Sequence, residues 1–160
     1  IARQTNDYLR SESDMFALPK KIRHSRYRTA ALSQGVSVIV RDLEAKLIVM
    51  WSQLGGGASY LSQIRSLVPI VAFSSDTEAL RRMSILYGIV PVFMDQPRST
   101  PDFLRRLDSM VLERKWVAPG TPIVLVLGEP IGCAGLTNQI QIHYAGESLG
   151  EIDPAGSDGE

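Results

Sequence analysis

The chain has 160 residues, 44% of them hydrophobic, with 17 basic and 17 acidic side chains. This length fits one domain with a single core, and it excludes a (β/α)₈ barrel, which needs about 250 residues. The even charge balance gives no general attraction to nucleic acid, and the chain carries no helix-turn-helix or aromatic RNA-binding pattern. We therefore expect a globular domain that does not bind nucleic acid.

Cysteine content and hydropathy bear on the compartment. Cys133 is the only cysteine, which excludes an internal disulfide and fits a reducing environment. No apolar stretch reaches the roughly 18–20 residues of a transmembrane helix, and the first residues show no signal-peptide pattern. We expect a cytoplasmic protein without a membrane partner.

Short β-branched runs alternate with amphipathic stretches, which indicates an α/β domain with a mainly parallel sheet. The predicted strands are 46–51, 69–74, 89–94, 122–127 and 139–144, and the predicted helices are 29–44, 58–66, 76–87 and 101–117. The last strand alternates strictly in polarity, as an edge strand with one solvated face does. Only 11 residues connect the fourth strand to the last one, which is too few for a helical crossover. The last strand should therefore run antiparallel to the fourth.

The two ends of the chain differ in charge. Residues 1–42 hold eight basic and four acidic side chains, whereas 145–160 hold five acidic ones and no basic one. Residues 9–24 lack periodicity and are predicted to be a loop or linker, and 146–160 are predicted to be an acidic, disordered tail. The domain itself is predicted to span 29–145.

Residues that could carry catalysis are scarce. The sequence has no Cys/His metal-ligand spacing and no G-x-S-x-G motif. His24 and His143 have no partners in the sequence and are predicted to be surface residues. Cys133 is predicted to be a small loop residue. We expect no catalytic residues and no metal site.

A glycine-rich loop follows the first predicted strand and opens a helix. Its residues are Ser52, Gln53, Leu54, Gly55, Gly56, Gly57 and Ala58. Backbone amides at such a helix start can hold a phosphate, but a tight turn that needs positive φ explains the glycines equally well. The loop lacks the Lys-Ser or Lys-Thr of a Walker A motif and the G-x-G-x-x-G dinucleotide pattern, which disfavours ATP and NAD.

A second glycine-rich loop, residues 128–138, follows the fourth predicted strand. In a doubly wound sheet of order 3-2-1-4-5, strands one and four are neighbours, so both loops would flank one crevice where ligands bind. In this loop the candidate phosphate-binding residues are Gly132, Gly135 and Thr137. The candidate cations on helices are Arg65, Arg81 and Arg82, and Arg81 and Arg82 are predicted to lie on a solvated face.

Several motifs in a fixed order resemble the C-terminal domain of pyruvate kinase. They are the run from Ala45 to Val49, the glycine loop at 55–58, Pro69 to Ala72, Tyr87 to Val92, Gly120 to Val124 and, most specifically, Gly128 to Asn138. The resemblance covers about residues 29–144. It implies a three-layer α/β/α domain whose five-stranded mixed sheet has the order 3-2-1-4-5 and an antiparallel last strand. Residues 1–28 resemble, more loosely, the helix and connection that follow the catalytic barrel in that family, which implies a linker or leading helix from a preceding domain.

The resemblance also implies which part of the enzyme this chain is. In that family, phosphoryl transfer from phosphoenolpyruvate to ADP takes place in a catalytic barrel with Mg²⁺ and K⁺. The motifs of that barrel have no counterpart here, so we expect this chain to be inactive alone, to bind no cofactor itself and to work with a barrel in the same polypeptide.

Two roles are implied for the domain, effector binding and subunit contact. The effector loop of the family corresponds to residues 52–58, although Leu54, Gly56 and Gly57 lack its side-chain donors. The resemblance therefore leaves open fructose 1,6-bisphosphate, a sugar monophosphate, a nucleotide or no effector at all. The edge strand is expected to pair with a second copy through Gln139, Ile140, Gln141, Ile142, His143 and Tyr144. The alternative is a free-standing α/β protein that binds a phosphate ligand with the same fold.

Overall fold

Runs of apolar, mostly β-branched residues form the centre of the molecule. A computed structural model describes residues 28–150. Its strands are β1 (Leu47–Trp51), β2 (Ile70–Ser74), β3 (Ile89–Phe93), β4 (Pro122–Leu127) and β5 (Gln139–Tyr144), and its helices are α1 (Arg28–Asp42), α2 (Gly56–Gln63), α3 (Thr77–Met83) and α4 (Thr100–Glu113). All the predicted strands and helices are present, with bounds that differ by a few residues.

The strands form one sheet in the order β3-β2-β1-β4-β5. β1 pairs in parallel with β2 on one side and with β4 on the other. β4 and β5 are antiparallel, with Val124 opposite Ile142. The predicted order and the predicted antiparallel last strand are both confirmed.

Alternate residues of the strands contribute to two separate cores, one on each face of the sheet. On one face Ile48 and Met50 pack with residues of α1, α2 and α3. On the other face Val49 and Phe73 pack with residues of α4. This gives the three-layer α/β/α arrangement, in which residues 28–150 place three helices on one face and one on the other.

The helices begin where side chains can accept from free backbone amides. Asp76 accepts from the amide of Glu78 at the start of α3, and Ser99 accepts from that of Asp102 at the start of α4. α3 is shorter than predicted because Ser84 ends it, and the chain then turns into β3 through Gly88 at φ +72°. Within residues 28–150 no helix is both long and apolar enough to cross a bilayer.

The edge strand β5 differs from the prediction of one solvated polar face. His143, predicted to lie on the surface without a partner, is only 2% exposed, whereas Ile142 is 46% exposed. His143 is buried because α4 places Asp108 beneath it, with Asp108 Oδ1 2.8 Å from His143 Nε2. Ile142 stays exposed although its neighbour Ile140 packs on the core beside α1.

Asp108, His143, Glu147 and Ser148 form a cluster that we call the Asp108 cluster. The backbone amide and the hydroxyl of Ser148 both donate to Asp108 Oδ2. Glu147 Oε2 lies 3.3 Å from His143 Nδ1. Burial acts to raise the pKa of Asp108, but hydrogen bonds from His143, Ser148 and the Gly146 amide outweigh it and lower the pKa below its ordinary value.

The Asp108 cluster holds the first residues of the predicted tail against the domain. Ala145 is fully buried, and a 3₁₀ turn spans Glu147–Leu149. Residues 146–150 therefore differ from the predicted disordered tail, because Ser148 and Glu147 have buried partners in α4 and β5. Residues 151–160, the predicted linker or leading helix before residue 28, and His24 lie outside the described residues.

Replacing Asp108 by asparagine should lower the free energy of unfolding by about 2 kcal/mol at neutral pH, because the donors of His143 and Ser148 lose a charged acceptor. The folded-state pKa of Asp108 lies below the unfolded value of about 3.9, so its carboxylate stabilises the fold above that pH. This stability is lost as the pH falls through the folded-state pKa.

Urea denaturation from neutral pH down to about pH 2 measures both effects, and the variant should lose less stability on acidification than the wild type. Asp42→Asn is the matched control, since Asp42 is exposed beside Arg41, and we expect a change below about 0.5 kcal/mol. Equal unfolding curves for Asp108→Asn and Asp42→Asn would contradict the stabilising role of the Asp108 cluster.

Candidate functional site

A cavity of about 390 Å³ opens beyond the carboxyl ends of β1 and β4, where the two glycine-rich loops meet. The parallel pairing of β1 with β4 places these ends side by side. Its lining comes from α1, the end of β1, the first loop, the start of α2 and the second loop: Thr29, Trp51, Ser52, Gln53, Leu54, Gly56, Gly57, Ser59, Tyr60, Cys133, Gly135, Leu136 and Thr137. The doubly wound order thus brings the two loops to one crevice, as predicted.

The first loop is held in place from below by β2. Gly55 adopts φ +79°, which costs a glycine little, and its amide donates to the carbonyl of Ser52 at 3.2 Å. The hydroxyl of Ser74 donates to the carbonyl of Gln53 at 3.0 Å, and the carboxamide of Gln53 donates to the hydroxyl of Ser75 at 2.9 Å. The predicted tight turn is present at Gly55, and it leaves the start of α2 facing the cavity.

Hydrogen bonds between Asn138 and Glu129 close the second loop at its base. Asn138 accepts from the amide of Glu129 at 2.9 Å and donates to the carbonyl of Glu129 at 3.1 Å. Gly128 lies so close to the loop's other end that a Cβ there would be 1.8 Å from the carbonyl oxygen of Leu136. The hydroxyl of Thr100 at the start of α4 also donates to the carboxylate of Glu129.

The two loops meet at Gly57. A Cβ at this position would lie 2.7 Å from Met50 Cε and 3.3 Å from the hydroxyl oxygen of Thr137. Glycine therefore lets the first turn of α2 approach the second loop without a side chain between them. The cavity depends on this close approach for its shape.

Within the part of the chain that the structure describes, the cavity lining offers several hydrogen-bond donors and no charged side chain. α2 begins at Gly55 without a side-chain cap, so the amides of its first turn remain available to a ligand or solvent. The indole N–H of Trp51, a residue 5% exposed that lines the cavity, is buried and has no hydrogen-bond partner in the described structure. Such a set suits a ligand rich in oxygen acceptors with modest negative charge.

The structure places six of the predicted effector residues on the cavity and three away from it. Ser52, Gln53, Gly56, Gly57, Gly135 and Thr137 line it. Gly55 forms the turn behind the lining, and Ala58 is buried in the core. Gly132 has φ +88° and packs on Gln96, so that a Cβ would lie 2.3 Å from Gln96 Nε2. Phosphate binding by this set stays a prediction.

Sequence reasoning missed four lining residues: Thr29, Trp51, Ser59 and Tyr60. The positions of Trp51 and Ser59 could have predicted their place in the lining. Trp51 ends a strand at the ligand edge of the sheet, and Ser59 lies in the first turn of the following helix. Thr29 had no such positional signal, since it lies far from the loops in sequence. Cys133 is exposed and lines the cavity, consistent with a small loop residue.

The three candidate arginines do not line the cavity. Arg65 lies over the ring of Tyr87, with its guanidinium carbon 5.5 Å from the ring centre. Arg81 pairs with Glu78 on the exposed face of α3. Arg82 is largely exposed and donates to the carbonyl of Leu54 at 3.4 Å. Leu54 lines the cavity, but Arg82 itself does not. The solvated-face prediction for Arg81 and Arg82 is confirmed.

Comparison with known proteins points to one family. The family described as "Pyruvate kinase, alpha/beta domain" matches residues 25–143 of the chain. A pyruvate kinase of Sporosarcina psychrophila is 25% identical over 130 residues, and one of Mycobacterium tuberculosis is 27% identical over 136 residues. A pyruvate kinase of Staphylococcus aureus is 29% identical over 119 residues.

The matches cover most of this chain but little of the relatives. They take in 81%, 85% and 74% of the chain, and 22%, 29% and 20% of the three relatives respectively. The chain therefore spans between a fifth and three tenths of the length of these curated relatives.

Gly128→Ala tests the closure of the second loop. The added methyl group would overlap the backbone of Leu136, so the loop must move, and we expect the free energy of unfolding to fall by about 1–3 kcal/mol. Gly56→Ala is the matched control, because a Cβ there has nothing within 4 Å and φ is not positive. Thermal and urea unfolding of both variants measure the effect, and equal stabilities would contradict the close approach at Gly128.

Proposed function

The chain belongs to the pyruvate kinase alpha/beta domain family, and we propose that within such an enzyme it binds a phosphate-bearing effector and joins subunits. The observation that carries the effector role is the cavity between the two glycine-rich loops, which gathers backbone amides and hydroxyls. A domain that binds an effector and contacts another subunit can bias a catalytic domain between two states.

The lining favours a ligand with one phosphate over a ligand with two. The first-turn amides of α2 and the positive end of the helix provide for one anionic group. Among residues 28–150 no charged side chain lines the cavity to offset a second phosphate. The hydroxyls of Ser52, Tyr60 and Thr137 supply partners for sugar or ribose oxygens. We therefore propose a sugar monophosphate or a nucleoside monophosphate as the effector class.

The parent reaction that we propose is phosphoryl transfer from phosphoenolpyruvate to ADP, carried out by a cytoplasmic pyruvate kinase in a catalytic barrel of the same polypeptide. Among residues 28–150 no group of three or more His, Cys, Asp or Glu side chains is placed to hold a metal ion. We propose that the Mg²⁺ and K⁺ of that reaction bind in the barrel and not in this chain.

Subunit contact is proposed through the outer edge of β5, which is the last strand of the sheet. An uncovered edge presents unpaired N–H and C=O groups, and pairing with the same strand of a second copy satisfies them. Ile142, 46% exposed on this strand, supplies apolar surface that pairing would bury. α1 lies alongside, where a Cβ at Gly35 would be 3.3 Å from Ile140 Cδ1.

Gly56→Glu tests the effector site. Position 56 lines the cavity and has open space around it, so the variant adds a negative charge without displacing the backbone. We expect calorimetric titration with glucose 6-phosphate and AMP to show binding to the wild type, and affinity at least about tenfold weaker for the variant. Fructose 1,6-bisphosphate should bind more weakly than the monophosphates.

Gly56→Ala is the control, and it should bind like the wild type because its methyl group meets no neighbour. No heat with any of these ligands, or equal binding by Gly56→Glu, would contradict the effector role and leave the subunit contact to be tested separately.

Ile142→Pro tests the subunit contact. Position 142 has its amide on the free side of β5, so proline removes an outward donor and leaves the pairing with β4 intact. Sedimentation velocity at high micromolar concentration should show a dimer for the wild type and a monomer for the variant. Ile142→Ala keeps the amide and should weaken the dimer less, and a wild type that stays monomeric would overturn the contact.

A further inference from the structure

The hydrogen bonds of β4 determine which β5 groups face the free edge. The carbonyl of Pro122 accepts from the amide of Lys46 on the β1 side, and the amide of Ala145 donates to the carbonyl of Thr121 at 3.0 Å. Antiparallel pairs alternate between residues bonded to the neighbour and residues directed away from it. Since Ala145 is bonded inward, the alternate residues Tyr144, Ile142 and Ile140 direct their amides away from β4.

One of these three outward amides already has a partner. The amide of Tyr144 donates to Glu147 Oε2 at 3.1 Å. Within residues 28–150 the amides of Ile142 and Ile140 have no hydrogen-bond acceptor. The capped amide is therefore the one at the end of the strand, next to the 3₁₀ turn.

Glu147 is held over that amide from two sides. Its Oε2 lies 3.3 Å from the ring nitrogen Nδ1 of His143, and His143 is fixed through its other nitrogen by Asp108. The next residue, Ser148, is bound to Asp108 through both its amide and its hydroxyl. The Asp108 cluster thus positions a carboxylate at the edge of the sheet.

We propose that Glu147 caps the β5 edge and limits the contact between two copies to the amides of Ile140 and Ile142. The proposal rests on the proposed pairing of β5 with a second copy. With the cap in place, a two-fold axis sets Ile140 opposite Ile142 of the partner subunit. Without the cap, the two-fold axis shifts along the strand so that Tyr144 lies opposite Ile140 of the partner subunit. The freed amide of Tyr144 in each copy then donates across the contact, and the dimer gains hydrogen bonds from both copies.

Glu147→Ala tests the cap because it frees the amide of Tyr144. Sedimentation velocity and equilibrium of the whole chain should give a dimer dissociation constant about tenfold smaller than that of the wild type. Glu147→Gln is the matched variant, since its side-chain carbonyl still accepts from Tyr144, and its dissociation constant should stay within about threefold of the wild type. An unchanged or larger dissociation constant for Glu147→Ala overturns the cap.

Ser148→Ala separates the cap from a general loosening of the turn. It removes the hydroxyl bond to Asp108 but leaves the carboxylate of Glu147 in place, so unfolding should become easier while the dimer dissociation constant stays unchanged. Tightening by Ser148→Ala equal to that by Glu147→Ala would overturn the cap, because the amide of Tyr144 would then not be the cause.

The same measurements distinguish the failure of the cap from the failure of the subunit contact. A wild type that dimerises and is disrupted by Ile142→Pro, with no effect of Glu147→Ala, overturns the cap alone. A monomeric wild type that becomes a dimer in Glu147→Ala overturns the limiting role, because Glu147 would then block the edge altogether. Monomers in the wild type and in Glu147→Ala overturn both.

Discussion

The parallel pairing of β1 with β4 is the constraint on which the candidate site depends. It places the end of β1 beside the end of β4, so that the loops after them share one cavity although they are far apart in sequence. The order of the sheet reverses at this pair, since β2 and β3 continue on one side and β5 on the other. Ligands of open α/β sheets bind at such reversals because the following helices diverge to opposite faces.

Close packing rather than charge gives the cavity its form. At Gly57 a Cβ would lie 3.3 Å from the hydroxyl oxygen of Thr137 in the second loop, and at Gly128 a Cβ would lie 1.8 Å from the carbonyl oxygen of Leu136 within that loop, so the absence of these side chains allows the close packing at both positions. The lining is then left with amides, hydroxyls and the indole of Trp51. An uncharged lining of this kind selects by hydrogen bonding, which agrees with an effector of modest charge in the proposed regulatory role.

A buried polar cluster performs a second organising task at the other end of β5. Asp108 is fully buried in the layer of α4, and its carboxylate receives donors from His143 and Ser148. A buried carboxylate is costly unless it is paired, so its bonds favour one position of the 3₁₀ turn relative to α4 and β5. The proposed subunit contact and its cap both follow from where this turn is held.

The amino-acid sequence alone determined the elements, their order and the class of the domain. Apolar β-branched runs and capped amphipathic stretches are local signals, and the short connection before β5 allowed no parallel crossover, so the mixed sheet could be predicted. Six cavity residues could be predicted as well, because glycine-rich loops after strands are also local features. The order 3-2-1-4-5 then placed those loops together.

Contacts between distant residues were decided by the tertiary structure. His143 looked like a surface residue on an alternating strand, since nothing near it in sequence indicates that Asp108, 35 residues earlier, lies beneath it. Thr29 reaches the cavity, and Glu147 reaches the amide of Tyr144, through the packing of α1 and of the 3₁₀ turn. Burial and pairing of this kind depend on which surfaces meet after folding, and hydropathy patterns record only which face of each element is apolar.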